Sequence, residues 1–351
     1  MVPRGQGLII TSALFSAALF GASTPLAKAL LSDISPWMLA GLLYLGSGVG
    51  LAGLQAARWV RGGFPSEAPL SRRDLPWMIA VILSGGVAGP VLLMVGLSTT
   101  PASSASLLLN LEGLFTVGIA WMVFRENVDR RIAIGAAAIL AGALLLSWSG
   151  SLEGIGWGSV AVAGACLAWG IDNNLTRKLS SADPLQIALL KGAVAGAVNV
   201  ALALSVGDAL PSAGPLLGAA VVGFLGYGVS LTLFVLALRH LGSARTAAYF
   251  SLAPFAGALV AILVFGEPVT GQFVAAAVLM GIGLYLHLME RHEHAHRHEP
   301  MEHAHRHAHN EHHQHEHEDG TGTEPHSHPH AHRPLVHAHP HYPDIHHRHT
   351  H

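Results

Sequence analysis

The chain has 351 residues, of which 51% are hydrophobic, 11% are charged and 40 are glycine, with a formal net charge of −2. A soluble domain of this length needs a charged surface that such a composition, with a mean hydropathy of +0.45, does not supply. The charge averages an apolar region and a very polar one, no basic run of the nucleic-acid-binding kind is present, and the single cysteine, Cys166, excludes an intrachain disulfide.

A hydrocarbon core of about 30 Å takes about 20 residues of helix. Apolar runs of that size occur at 7–31, 37–57, 77–97, 104–124, 132–149, 157–178, 184–206, 215–238, 245–265 and 272–289. The first is too long for a signal peptide, has only Arg4 before it, and has a counterpart in the second half, so it reads as a helix. With the N-terminus in the cytoplasm, the inside loops carry Arg58, Arg61, Arg72, Arg73, Arg125, Arg130, Arg131, Arg177, Lys178, Arg239 and Arg245. The outside loops near 32–36, 98–103, 150–156, 207–214 and 266–271 carry no Lys or Arg, and this asymmetry places both termini in the cytoplasm. Trp37, Trp59, Trp77, Trp148 and Trp157 fall near span ends, as interfacial aromatics do.

A repeat runs through these spans. Val123-Phe124-Arg125-Glu126-Asn127-Val128 returns as Val264-Phe265-Gly266-Glu267-Pro268-Val269, an offset of 141 residues. At that offset Gly85 meets Gly226, Leu97 meets Leu238, Leu111 meets Leu252 and Gly142 meets Gly283. Five helices per unit is an odd number, so the second unit is inverted relative to the first, an arrangement suited to alternating access. The expected fold is an all-α membrane protein of ten transmembrane helices in two inverted five-helix repeats, 1–150 and 151–289. A histidine-rich cytoplasmic tail, 290–351, follows.

These residues resemble the EamA family of the drug/metabolite transporter superfamily. The resemblance rests on the two five-helix units and on the F-x-E element ending the fourth helix of each (Phe124-Arg125-Glu126, Phe265-Gly266-Glu267). It rests also on an aromatic–glycine pair with a later basic residue in the first helix of each, Phe20-Gly21 with Lys28 and Trp169-Gly170 with Arg177. It implies a secondary transporter, often an exporter of amino acids, metabolites or drugs, in the cytoplasmic (inner) membrane, and not an enzyme. One departure stands out. Leu252-Ala253-Pro254-Phe255 in helix nine is matched in helix four by Leu111-Glu112-Gly113-Leu114, which loses the proline and gains an acid.

Ionisable groups inside spans are costly and are functional candidates. Glu112 falls about 12 Å below the outer end of helix four, near the midplane, with Asn110 close by. It reads either as a proton- or cation-binding carboxylate of the substrate cavity or as a hydrogen-bonded structural acid. Asp172, Asn173 and Asn174 make a polar run in helix six, and Lys191 comes at similar depth in helix seven, so Asp172 and Lys191 are expected to pair, as a lock or as an inner gate. Lys28 is expected to snorkel toward the outer interface. Gly85-Gly86 and Gly89-Pro90 mark a bend in helix three. Tyr227, Ser230, Tyr249 and Ser251 either line a cavity or make ordinary interhelical hydrogen bonds.

No P-loop, dinucleotide fingerprint or nucleophile elbow is present. No cofactor is required on this reading, and coupling comes from an ion or solute gradient. The tail holds 23 of the 25 histidines, many at every second position, among them His294, His296, His303, His305, His307, His309, His326, His328 and His330. Six prolines and few apolar residues deny it a core, so it is expected to be disordered. Neutral imidazoles at that density bind Ni²⁺, Zn²⁺, Co²⁺ or Cu²⁺ with little selectivity. The expected partners are therefore a small-molecule solute, the lipid bilayer and divalent metal ions at the tail, with no nucleic acid; pairing into a homodimer is left open. Two rival readings are a transporter of metal cations or chelators and a membrane-anchored metal buffer or sensor. Against the first, the spans hold only His287 and the lone Cys166, where a metal pathway wants clustered ligands.

Overall fold

The computed structural model describes residues 4–61, 70–124, 130–148, 156–176, 179, 183–241, 246 and 249–288, and in the tail 292–297, 302–307, 326–331 and 336–341. Up to residue 288 the regular elements are helical: α1 (Arg4–Leu30), α2 (Pro36–Val60), α3 (Leu75–Val81), α4 (Gly89–Thr99), α5 (Ala102–Leu108), α6 (Leu111–Phe124) and α7 (Arg130–Ser147). Then come α8 (Trp157–Thr176), α9 (Pro184–Ser205), α10 (Ala213–Gly223), α11 (Ser230–Leu241), α12 (Ala253–Phe265) and α13 (Gly271–Leu288). Proline starts several of them, where its missing N–H costs nothing. Pro36 opens α2 behind the N-cap Ser35, and Pro184 opens α9 behind Asp183, whose Oδ1 accepts from Leu185 N at 2.9 Å.

Seven helical stretches are long and apolar enough to cross a membrane: Leu8–Leu30, Pro36–Val60, Arg72–Thr99, Ala102–Val123, Arg130–Ser147, Leu185–Ser205 and Ala213–Phe234. The chain is an integral membrane protein. Three further runs of the expected ten do not reach that standard alone. In α8 the polar run Asp172–Asn174 lowers the hydropathy, while the apolar stretches Ala253–Phe265 and Gly271–Leu286 are shorter. Apolar side chains face outward along the spans, Leu8 and Leu263 being 72% and 73% exposed, as a lipid-facing surface requires.

Two helical rods change pitch midway. Ile82–Ala88, between α3 and α4, and Phe224–Val229, between α10 and α11, are π-helical. Shifting 82–88 by the 141-residue offset gives 223–229. The irregularity expected at Gly85-Gly86 and Gly89-Pro90 thus takes the form of a π stretch that contains the first pair and ends at the second, because Pro90 has no N–H and frees a carbonyl upstream of itself. Two other rods break. Leu109–Asn110 separates α5 from α6, and Ser251–Leu252 precedes α12, again about one offset apart. Pro254 therefore lies in the first turn of α12 rather than kinking a continuous helix.

Small residues let the rods approach closely, the usual packing device where lipid gives no hydrophobic drive. A Cβ on Gly48 of α2 would meet Ala193 and Gly192 of α9, and one on Gly283 of α13 would meet Gly135 O of α7 at 2.6 Å.

The tail departs from the expected absence of structure over its described residues. Strands β1 (His292–Arg297) and β4 (Val336–His341) pair antiparallel, as do β2 (Glu302–His307) and β3 (His326–Ala331). The reason is periodic: histidine at every second position has the repeat of a strand. Two-stranded ribbons are only marginally stable in water.

Candidate functional site

The polar residues of the spans converge around the first π stretch. Asp172 of α8, 4% exposed, pairs with Lys191 of α9, the ion pair expected from their matching depths. Thr176 Oγ1, one turn on, donates to Asp172 Oδ1 at 3.2 Å. The pair lies directly on the kink: a Cβ on Gly85 would collide with the Asp172 carboxylate, and one on Gly86 would meet Ala195 at 2.6 Å and Lys191 Cγ at 3.5 Å.

The carbonyls released by the π stretch are collected by side chains from three other helices. Tyr44 Oη of α2 and Trp169 Nε1 of α8 donate to Gly85 O at 2.8 and 2.9 Å, and Asn199 Nδ2 of α9 donates to Gly86 O at 3.1 Å. The backbone is thereby satisfied without continuing the α-helical ladder. Tyr44 and Asn199 carry no motif, and Trp169 stood out only as half of the Trp169-Gly170 pair. The signal that could have found them is the Gly-Gly and Gly-Pro pair, which demands outside donors.

Glu112 stands in the first turn of α6, just past the break at Leu109–Asn110. A carboxylate there complements the positive end of the helix dipole. Asn173 Nδ2 of α8 donates to Glu112 Oε1 at 3.0 Å and to Thr116 Oγ1 at 3.2 Å. Asn174 Nδ2 donates to Thr116 O at 3.1 Å, while its buried Oδ1 has no partner among the described residues. Asp172 and Lys191 lie within electrostatic reach of Glu112, and no Lys or Arg forms an ion pair with it among the described residues.

Tyr227 closes the group from the second π stretch. Its ring lies 5.6 Å from Tyr44 and 5.8 Å, edge-on, from Phe20 of α1; Phe20 in turn stacks near Phe250 at 5.2 Å. The other candidates fall elsewhere. Asn110 is 8% exposed and turns back on the end of α5, donating to Leu107 O at 2.8 Å. Ser230 exchanges hydrogen bonds with Ser16 of α1, an interhelical clamp. Tyr249 and Ser251 flank Phe250 at the break before α12. Lys28 does not snorkel free. It donates to Leu97 O and Ser98 O at the end of α4, where those carbonyls lack helical partners. Cys166 is buried against Leu108 O, and no three His, Cys, Asp or Glu side chains gather among the described residues. His309 lies outside them.

Two cavities of ≈ 450 Å³ flank this network without including Glu112, Asp172 or Lys191. One is lined by Gln55, Arg58, Trp59, Asp183, Gln186 and Thr232, among others. The other is lined by Thr100, Ser103, Ser104, Trp157, Glu267 and Gln272, among others.

The sequence matches the EamA-like transporter family over residues 7–148 and again over 156–289. The chain belongs to that family. An uncharacterized transporter of Methanothermobacter thermautotrophicus is 29% identical over 298 residues, covering 79% of this chain and 84% of the relative. A probable amino-acid metabolite efflux pump of Salmonella typhimurium is 28% identical over 207 residues, covering 53% of this chain and 67% of that protein. A solved structure, described only as a crystal structure of a protein, superposes with a TM-score of 0.57 over 79% of this chain and 96% of its own, at 18% identity, and so shares the fold. The EamA match accounts for the two regions that carry the F-x-E elements, and it leaves out the histidine tail.

Proposed function

We propose that this protein is a secondary transporter that exports a small metabolite of the amino-acid class by alternating access, with Glu112 receiving a proton or the solute's cationic group. One observation carries the reading: an intramembrane carboxylate sits at a helix break, held by Asn173, with no cation paired to it among the described residues. The efflux pump of Salmonella typhimurium supports the substrate class. The proposed architecture is ten spans in two inverted units, 1–150 and 151–289, in the cytoplasmic membrane with both termini inside. The π stretches and the helix breaks, each recurring about one offset apart, support it. No step of this cycle is enzymatic.

Glu112→Gln keeps the shape and the hydrogen bond from Asn173 while removing titration. The expected outcome is normal insertion with flux reduced about tenfold or more and its pH dependence flattened. Wild-type flux and pH profile in that variant would make Glu112 a structural acid.

A second role belongs to the tail. The strand register sets His294 across from His339, His296 across from His337 and His305 across from His328. Opposed histidines support binding of Ni²⁺, Zn²⁺, Co²⁺ or Cu²⁺. Truncation after residue 290 should abolish metal binding measured by calorimetry and leave solute flux intact. In the full chain, binding should weaken below about pH 6, where imidazolium cannot ligate. Loss of flux in a well-expressed truncation would place the tail inside the transport mechanism.

A further inference from the structure

The corner between α4 and α5 is held from both sides. Lys28 reaches from α1 to the carbonyls of Leu97 and Ser98, in the last turn of α4. Glu267 follows Gly266, whose φ of +64° turns the chain out of α12. Its two carboxylate oxygens accept from Ala102 N at 2.7 Å and Ser103 N at 2.8 Å, the first N–H groups of α5. A cation thus meets the negative end of one helix and an anion the positive end of the next. Glu267 also satisfies two backbone donors that the helix itself cannot.

One turn deeper, the seam behind this contact is sealed. Ser106 of α5 is 1% exposed. A Cβ on Gly257 of α12 would meet Gly21 O of α1 at 2.6 Å and Ser106 Oγ at 2.8 Å. Helices α1, α5 and α12 meet there nearly backbone to backbone, with no room for a solute. On the other side of the contact lies the cavity lined by Thr100, Ser103, Ser104, Trp157 and Gln272, and Glu267 is part of its wall. Hydroxyls and a carboxylate set in a largely apolar wall make it a mixed chamber beyond a closed seam.

We propose that Glu267 is the positioning residue of the outer gate: its grip on the N-terminus of α5 holds the α1–α5–α12 seam shut, and the cavity beyond is the vestibule through which solute leaves when α5 is released. This rests on the transporter reading and on the side assigned to this face above. The F-x-E element, so far a mere signature, then has a mechanical role. Opening exchanges two charge-assisted hydrogen bonds for solvation of the carboxylate in the vestibule.

The test uses the full-length protein in cells and membrane-impermeant maleimide, with the unsubstituted chain setting the background from buried Cys166. Ser104→Cys reports the vestibule, and Gln55→Cys reports the cavity at the opposite end. Glu267→Gln leaves one acceptor oxygen for two N–H groups. It should raise outside labelling of Ser104→Cys about tenfold, as expected for losing a hydrogen bond to a charged group. It should also lower labelling of Gln55→Cys in inside-out vesicles, because a population moved toward outward-open leaves the inward-open one. Unchanged labelling at Ser104→Cys overturns the gate. So does a rise there with Gln55→Cys unaffected, which would be local fraying of α5. Labelling of Ser104→Cys from the cytoplasmic side alone would overturn the assigned sidedness, while the effect of Glu267→Gln on its rate would still judge the contact.

Discussion

The π stretch Ile82–Ala88 lies against an ion pair, whereas the π stretch Phe224–Val229 lies against hydroxyls. At the first, Gly85 packs on the carboxylate of Asp172, two residues past Gly170. At the second, Gly226 packs on Ser23, two residues past Gly21. Phe20-Gly21 and Trp169-Gly170 are the matching aromatic–glycine pairs of the two units. The same backbone device is therefore built once with a buried charge and once without. The kink does not need the ion pair, and a buried pair is weak evidence for stability, since its desolvation offsets its attraction. Its presence at one π stretch and not, among the described residues, at the other makes the pair the place to separate a structural lock from a gate.

That comparison breaks most visibly if the charges are separated. Lys191→Met leaves Asp172 buried and uncompensated and should cost about 3–5 kcal/mol, read as lost thermal stability in detergent. The double variant Asp172→Ser, Lys191→Met makes the first kink resemble the second. It should recover most of that stability and still lack flux. Full flux in the double variant would make the pair structural, and additive losses would remove the coupling between the two residues.

A smaller effect distinguishes the two glycines. Gly85→Ala drives a methyl group into the Asp172 carboxylate, and Gly226→Ala drives one into Ser23 Cβ at 2.5 Å. Overpacking of this kind costs about 1–3 kcal/mol. Stability of both should fall, but flux per folded molecule should drop further in Gly85→Ala, because only there does the methyl group displace a charge. Equal flux losses would erase the distinction between the kinks.

The smallest effect concerns the donors. Tyr44→Phe removes one of the two hydrogen bonds to Gly85 O and leaves Trp169 in place. A loss of about 0.5–1.5 kcal/mol is expected. Asn199→Leu should cost more, because Asn199 is the sole side chain donating to Gly86 O among the described residues and the vacated carbonyl is buried. The reverse order, measured by thermal denaturation, would show that another group takes over at Gly86.

What the sequence made legible was whatever depends on hydropathy and depth. The starts of α2 and α9, expected at residues 37 and 184 and found at Pro36 and Pro184, and the meeting of Asp172 with Lys191, follow from composition and from rise per residue. Contacts made to backbone were not legible. Glu267 stood out as a repeated letter, but its partners are two amide groups that every residue except proline carries. Lys28 sat near a span end and was expected to reach for the interface, when the nearer unsatisfied groups were the carbonyls ending α4. The π pitch hid for a related reason, although glycine and proline marked the place: hydropathy hardly distinguishes 3.6 residues per turn from slightly more. Glu126, the sequence counterpart of Glu267, lies outside the described residues.

The π stretches have a further consequence for how this chain tolerates change in length. A π stretch is in effect one surplus residue carried inside a helix, with its hydrogen bonds reaching five positions instead of four. Deleting Val87 would let the rod relax to ordinary pitch with α4 kept close to its present facing, because the surplus residue is lost and not the phase of the helix. Gly96 would go on pressing against Gly158 and Val162 of α8. A single-codon deletion inside the π stretch is therefore better borne than one in the middle of α2 or α9, where each lost residue turns the rest of the rod by about 100°.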